Sequence, residues 1–186
     1  QYVEASLNNS LISLMAFLSA EYFATGKPPA RSGNNHAIVA PYGMFKAKDG
    51  AIAVAPSNET YAKRFLDAVG LGDLMEDDRF RTNADRMRNR QELLAIIDMA
   101  TEGRTVEHWI ETINAAGCPC GRVMTLEEVF ADPQVRATDM VLDVDHGEHG
   151  TIRMTGFPVK MSKTPTRIHR PAPDLGQHNK EILSED

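Results

Sequence analysis

The sequence is poor in cysteine, has no basic surplus and contains no long apolar run. Its two cysteines, Cys118 and Cys120, are separated only by Pro119. They are too few for a disulfide framework, and the spacing is awkward for a single bridge. A reducing, cytoplasmic setting is therefore expected. Lys and Arg number 20 against 26 Asp and Glu, giving a net charge of −6 and an isoelectric point near 5.5. Binding to nucleic acid or to an anionic membrane surface needs the opposite balance. The most apolar stretch, Leu11 to Ala20, is interrupted by Ser13 and Ser19 and is too short to span a bilayer. Neither nucleic acid nor membrane is an expected partner. There is no P-loop, no dinucleotide fingerprint and no Gly-x-Ser-x-Gly elbow. The chain opens on Gln1 rather than Met and shows no leader pattern, so a piece of a longer protein is expected.

The content that is present is ordinary for a globular protein. Hydrophobic residues make up 42% and charged residues 25% of the 186, enough for a core and for one domain or one and a half. Leu7, Leu11, Leu14, Met15, Leu18 and Tyr22 recur at spacings of three and four, and Ile12 and Phe17 widen the stripe. This predicts one opening helix that packs on more than one neighbour. Gly26, Pro28 and Pro29 stop it. In PYGMFKAKDGAIAVAP, a Lys48-Asp49-Gly50 turn between short apolar runs predicts a β-hairpin. Ser57 or Asn58 suits a helix N-cap. Three helical stripes follow: Tyr61, Phe65, Leu66 and Val69; Leu93, Leu94, Ile96, Ile97 and Ala100; then Trp109, Ile110 and Ile113 after a cap at Thr105. Gly117 stands where a left-handed C-terminal residue belongs.

A strand is predicted over Cys118–Met124. Thr125 and Glu128 form a capping box for a short helix that stops near Asp132-Pro133. Two further strands are expected at Met140–Val144 and Thr151–Met154. The stretch from Pro158 to Pro173 holds four prolines, which predicts an extended path, with a last short helix near Gly176.

Four constellations invite a chemical reading. Arg79, Arg81, Arg86, Arg88 and Arg90 would suit phosphates, but Asp77, Asp78, Asp85 and Glu92 make a solvated, charge-balanced helix start the plainer account. Asp143, Asp145, His146, Glu148 and His149 lack helical metal-ligand spacing and suit a polar turn. Cys118-Pro119-Cys120 has neither redox nor zinc spacing, and reads as a packed strand using Cys as a small apolar residue. Gly33, Asn34, Asn35 and His36 form a loop whose residues tolerate positive φ. That loop is either a plain connection or a cover over a substrate. No metal site is expected.

The ordered set of motifs resembles the C-terminal part of class III CoA-transferases. This family includes formyl-CoA:oxalate CoA-transferase, carnitine CoA-transferase and α-methylacyl-CoA racemase. PYGMFKAKDGAIAVAPSN is similar to the segment that opens the family's small domain. DDRFRTNADRMRNR resembles its acidic–Arg–Phe stretch with a later Arg and Asn, here Asp78, Arg79, Phe80, Arg86 and Asn89. GCPCGRV and EEVFADPQV resemble its Gly-Val-Pro-x-Gly-x-Val and Glu-Val-x-x-Asp-Pro-Gln-Val, with Cys118 in place of the usual Val. Gly156, Pro158, Ser162, Pro165, Pro173, Leu175, Gly176 and His178 match its closing run, and QYVEASL matches the start of a long helix.

The resemblance implies an α/β fold. Residues 41–139 would form a small α+β domain with a short antiparallel sheet and several helices. Residues 1–40 and 140–186 would belong to a Rossmann-like large domain. It implies an enzyme whose aspartate attacks an acyl-CoA thioester, forming a mixed anhydride and then an aspartyl-CoA thioester, before CoA passes to a small carboxylic acid. That aspartate would lie upstream of Gln1, so no catalytic residue is assigned here and the isolated chain is expected to be inactive. Coenzyme A enters as a thioester substrate, with no tightly bound cofactor. An interlocked homodimer is implied, as is a substrate-facing loop at Gly33, Asn34, Asn35 and His36. Two alternatives stay open: an acyl-CoA racemase or epimerase of the same fold, and a non-catalytic interaction module.

Overall fold

The computed structural model describes residues 2–183; Gln1, the first residue of the QYVEASL match, lies outside them. The chain divides into two compact units, one ending at Val123 and the other beginning at Met124. As the sequence predicts, both mix short helices with short antiparallel sheets.

The first unit is organised by a hairpin of β1 (Gly43–Ala47) and β2 (Gly50–Val54). Ala47 pairs with Gly50, leaving Lys48 and Asp49 as a two-residue turn. The turn is tied to the rest of the unit because Asp49 Oδ1 accepts from Val106 N at 2.7 Å. A third strand, β3 (Cys120–Arg122), pairs antiparallel with β2, giving the order β1-β2-β3.

Alternation along the hairpin sends Phe45, Ile52 and Val54 inward. Three helices meet them: α3 (Glu59–Ala68), α5 (Arg90–Thr101) and α6 (Val106–Ala115). Phe65 and Leu66 of α3, Leu93 and Ile97 of α5, and Trp109 and Ile113 of α6 join the same buried cluster, with Phe80 from the connection before α5. Each of these side chains contributes about 1.5–3 kcal/mol through burial. Trp109 Nε1 donates to Thr101 O at 2.7 Å, so the indole is buried with its donor satisfied. The helices start where caps allow. Asn58 and Thr105 accept from the backbone N–H three residues on, and Gly117 takes φ 77 after α6. Between α3 and α5 lies a six-residue helix, α4 (Asn83–Arg88), which follows a 3-10 turn over Gly72–Met75.

Two local expectations change. The strand predicted from Cys118 shortens to Cys120–Arg122. Pro119 has no N–H to donate, and Cys118 N is used to close α6 by donating to Ile113 O at 3.1 Å. The opening helix is two helices, α1 (Leu7–Leu14) and α2 (Phe17–Thr25), broken at Ala16 with φ 44. Neither has a buried residue. Without tertiary packing a helix of this length is marginal, and nothing within the described residues holds the two segments as one rod.

The second unit opens with α7 (Leu126–Ala131), capped by the Thr125–Glu128 box, and α8 (Pro133–Ala137), capped by Asp132 Oδ1, which accepts from Gln134 N at 2.7 Å. Strands β4 (Val141–Asp145) and β5 (Thr151–Thr155) pair antiparallel around a 3-10 turn at Gly147–His149. The Pro-rich stretch runs without helix or strand to α9 (Asn179–Leu183), as its prolines dictate. Among the described residues no helix is long and apolar enough to cross a membrane.

Candidate functional site

Gly33, Asn34, Asn35 and His36 stand together on the first unit, immediately before the hairpin. Gly33 takes φ 59, in the left-handed region, and Gly33 and Asn34 form an exposed turn. Asn35 then makes a single antiparallel bridge with Gly43, and His36 N donates to Tyr42 O at 2.8 Å. The approach is possible because residue 43 has no side chain. A Cβ there would stand 2.8 Å from Asn34 O and closer still to Asn35 Oδ1. Asn35 Oδ1 itself is buried with no hydrogen-bond partner among the described residues.

The His36 ring is sandwiched. It stacks on Phe17 of α2, with ring centres 5.4 Å apart and planes 9° apart, and on Tyr42, at 4.8 Å and 22°. Its Nδ1 accepts from Ile38 N at 3.3 Å, which assigns the proton of the neutral ring to Nε2.

Beyond the loop, residues 36–40 are held by side chains some fifty positions ahead. Asn83 brackets this connection: its Oδ1 accepts from Ala40 N at 3.0 Å and its Nδ2 donates to Ile38 O at 2.9 Å. Arg90 Nη1 donates to His36 O at 3.0 Å. Arg86 Nε donates to Ala40 O at 2.6 Å and Nη1 to Phe80 O at 3.0 Å, while Nη2 forks onto both oxygens of Glu59 at 2.8 and 2.9 Å.

Arg86, and less completely the half-buried Arg90, therefore correct the solvated-cluster reading. The Arg86 side chain is 1% exposed, against 57% for Glu59. A guanidinium tolerates that depth because its planar fork of donors is met by carbonyls and a carboxylate. The neighbouring arginines behave as the charge balance predicts: Arg79 pairs with Asp77 and Glu92, Arg81 with Asp78, and Arg88 with Asp85. The bond from Arg79 holds the Asp77 carboxyl below its ordinary value, and the Thr82 hydroxyl does the same for Asp85. Asn83 and Glu59 were not legible as site residues in the sequence; Arg86 and Arg90 stood out only as members of the arginine run, and Arg86 also through its place in the family-like motif.

The other candidates take quieter roles. Cys118 is buried and Cys120 half-buried, and burial pushes both thiols up to about 11. Neither is a thiolate at neutral pH. Asp143 pairs with Arg153, and His149 Nε2 lies 2.9 Å from Asp174 Oδ1. Among the described residues no group of three or more His, Cys, Asp or Glu side chains is placed to hold a metal ion. The second unit contains a cavity of about 700 Å³ between β4 and the extended stretch, lined in part by Val144, Phe157, Lys160, Arg167, His169 and Arg170. Two of those cations face carboxylates within the unit, Lys160 with Asp139 and Arg170 with Glu181.

Residues 1–179 match the family model described as CoA-transferase family III. The chain belongs to CoA-transferase family III. Within the family it is 30% identical to a succinate–glutarate CoA-transferase of Agrobacterium fabrum, over 100% of this chain and 46% of that protein. It is 31% identical to human succinyl-CoA:glutarate CoA-transferase, over 99% of this chain and 42% of the relative. Identity to acetyl-CoA:oxalate CoA-transferase of Acetobacter aceti is also 31%, over 99% and 46%. The crystal structure of a CaiB/BaiF family protein from Brucella suis superposes with a TM-score of 0.74 at 29% identity, covering 98% of this chain and 47% of that one. Rv3272 from Mycobacterium tuberculosis, at 22% identity, shares the fold with a TM-score of 0.78, over 99% and 48%. The chain thus spans less than half the length of the family III relatives it matches.

Proposed function

We propose that this chain is the C-terminal part of a cytoplasmic, homodimeric CoA-transferase that moves CoA from an acyl-CoA thioester to a small carboxylic acid. The family match over residues 1–179 carries this reading. The relatives' names favour transfer over racemisation and point to a short dicarboxylate as acceptor, since they include glutarate, oxalate and mesaconate. In such a protein residues 41–139 form the small domain, and 1–40 with 140–186 belong to the large one. In this reading the nucleophilic carboxylate lies upstream of Gln1; the chain spans 46% of the Agrobacterium fabrum relative.

The loop Gly33–His36 is assigned to the substrate side. Its exposed tip, Gly33 and Asn34, stands on a base fixed by ring stacking and charge-assisted hydrogen bonds. A fixed base with an open tip is what substrate positioning requires, because small misplacements of reacting groups are costly. The test compares the 186-residue chain with the full-length protein, each given succinyl-CoA and glutarate, with CoA esters followed by chromatography. Glutaryl-CoA is expected from the full-length protein and none from the chain alone. CoA exchange by the pure chain, or deuterium uptake at the α-carbon without acceptor acid, overturns the assignment.

A further inference from the structure

We propose that Asn83 and Arg90 are positioning residues that set the height and orientation of the Gly33–His36 loop and, through it, the affinity for the carboxylate acceptor. The proposal rests on the reading of that loop as substrate-facing. Surface connections ordinarily leave their backbone groups to water. Here the five residues 36–40 have four backbone groups taken by three side chains of α4 and α5: His36 O by Arg90, Ile38 O and Ala40 N by Asn83, and Ala40 O by Arg86.

The division of labour among the three follows from burial. Arg86 is wholly inside and also ties Phe80 O and Glu59, so it belongs to the core. Asn83 and Arg90 are half-buried, and among the described residues their hydrogen bonds beyond α4 and α5 run to residues 36–40 and, through Asn83 N, to Glu59. Glu59 accepts from both Asn83 N, at 3.2 Å, and Arg86, so one carboxylate indexes the clamp to the start of α3.

The consequence lies at His36. Its N–H is fixed by Tyr42 O, its carbonyl by Arg90, and its ring by Phe17 and Tyr42. Losing the Arg90 bond frees the carbonyl side alone, so the loop can tilt while the core stays packed. An arginine donor makes this bond stronger than a neutral one. A lysine at the same place keeps the charge and one donor.

The experiment uses the full-length protein with Asn83→Ala, Arg90→Met, Arg90→Lys and, as a control, Arg81→Met, whose side chain is exposed and pairs with Asp78. Two readouts are taken: amide exchange across residues 35–42, and steady-state transfer with the acceptor varied. Asn83→Ala and Arg90→Met are expected to speed exchange at the Ile38 and Ala40 amides roughly tenfold, the usual cost of one such bond. They are also expected to raise acceptor KM by a similar factor, with thioester KM and melting temperature near those of the parent. Arg90→Lys recovers part of both, and Arg81→Met changes neither. Unchanged exchange in both clamp variants overturns the clamp itself. Faster exchange with unchanged acceptor KM and kcat removes the positioning role and shows that the loop reading, not the clamp, is what failed.

Discussion

Arg86 buries its guanidinium to 1% exposure. The reason is arithmetic of donors: Nε and both terminal nitrogens find acceptors in Ala40 O, Phe80 O, Arg81 O and Glu59. Removing the guanidinium strands the Ala40 and Phe80 carbonyls in the interior, whereas Glu59 still reaches water. Arg86→Met is therefore expected to lower unfolding free energy by about 3 kcal/mol, the order expected for leaving two buried carbonyls without donors. Urea denaturation of the chain measures it. Arg86→Lys should recover less than half, because one ammonium cannot serve carbonyls and carboxylate on different sides. A loss below about 1 kcal/mol for the Met variant, the level of an ordinary surface pair, would show that water reaches this site.

At the scale of elements, α4 is too short to persist on propensity alone, and its N-terminus is made by a reciprocal cap. The Thr82 side chain accepts from Asp85 N, and the Asp85 carboxylate accepts from Thr82 N and from its hydroxyl. Thr82→Ala is expected to cost about 1 kcal/mol at neutral pH, as lost caps do. Asp85 adds a pH dependence of known sign. The Thr82 hydroxyl holds its carboxyl below the ordinary 3.8, so its contribution is present above that value and is lost as pH falls through the lowered one. The stability gap between the parent and Asp85→Asn, followed by denaturant midpoint, should narrow in acid; a gap that widens there would reverse the sign. Since Asn83 is the first residue of α4, this cap also sets the clamp on residues 36–40.

The whole molecule presents an apolar face with no cover among the described residues. Leu7, Leu11, Ile12, Leu14 and Met15 are all exposed, and α1 buries nothing. A patch of this kind favours association. The isolated chain should bind an apolar-surface dye and self-associate in light scattering. Leu7→Glu with Leu11→Glu should reduce both effects while leaving the core helices α3, α5 and α6 intact. A compact monomer without dye binding would instead support the reading of a non-catalytic module.

Much of this protein was determined by its sequence alone, wherever the cause is local. The Asp-Gly turn and alternating Phe45, Ile52 and Val54 made the hairpin legible, and Asn58, Thr105 and Thr125 marked helix starts that the structure keeps. The ordered motifs made the family legible for the same reason, since short spacings survive without knowledge of packing. What only the tertiary structure decided depends on residues far apart in the chain. The arginine run read as one solvated set, yet folding residues 36–40 back against α4 and α5 separates Arg86 and Arg90 from Arg79, Arg81 and Arg88. Asn83 carried no signal at all, because its partners lie more than forty positions away. The break at Ala16 was hidden because a continuous apolar stripe specifies a helix only where something packs against it.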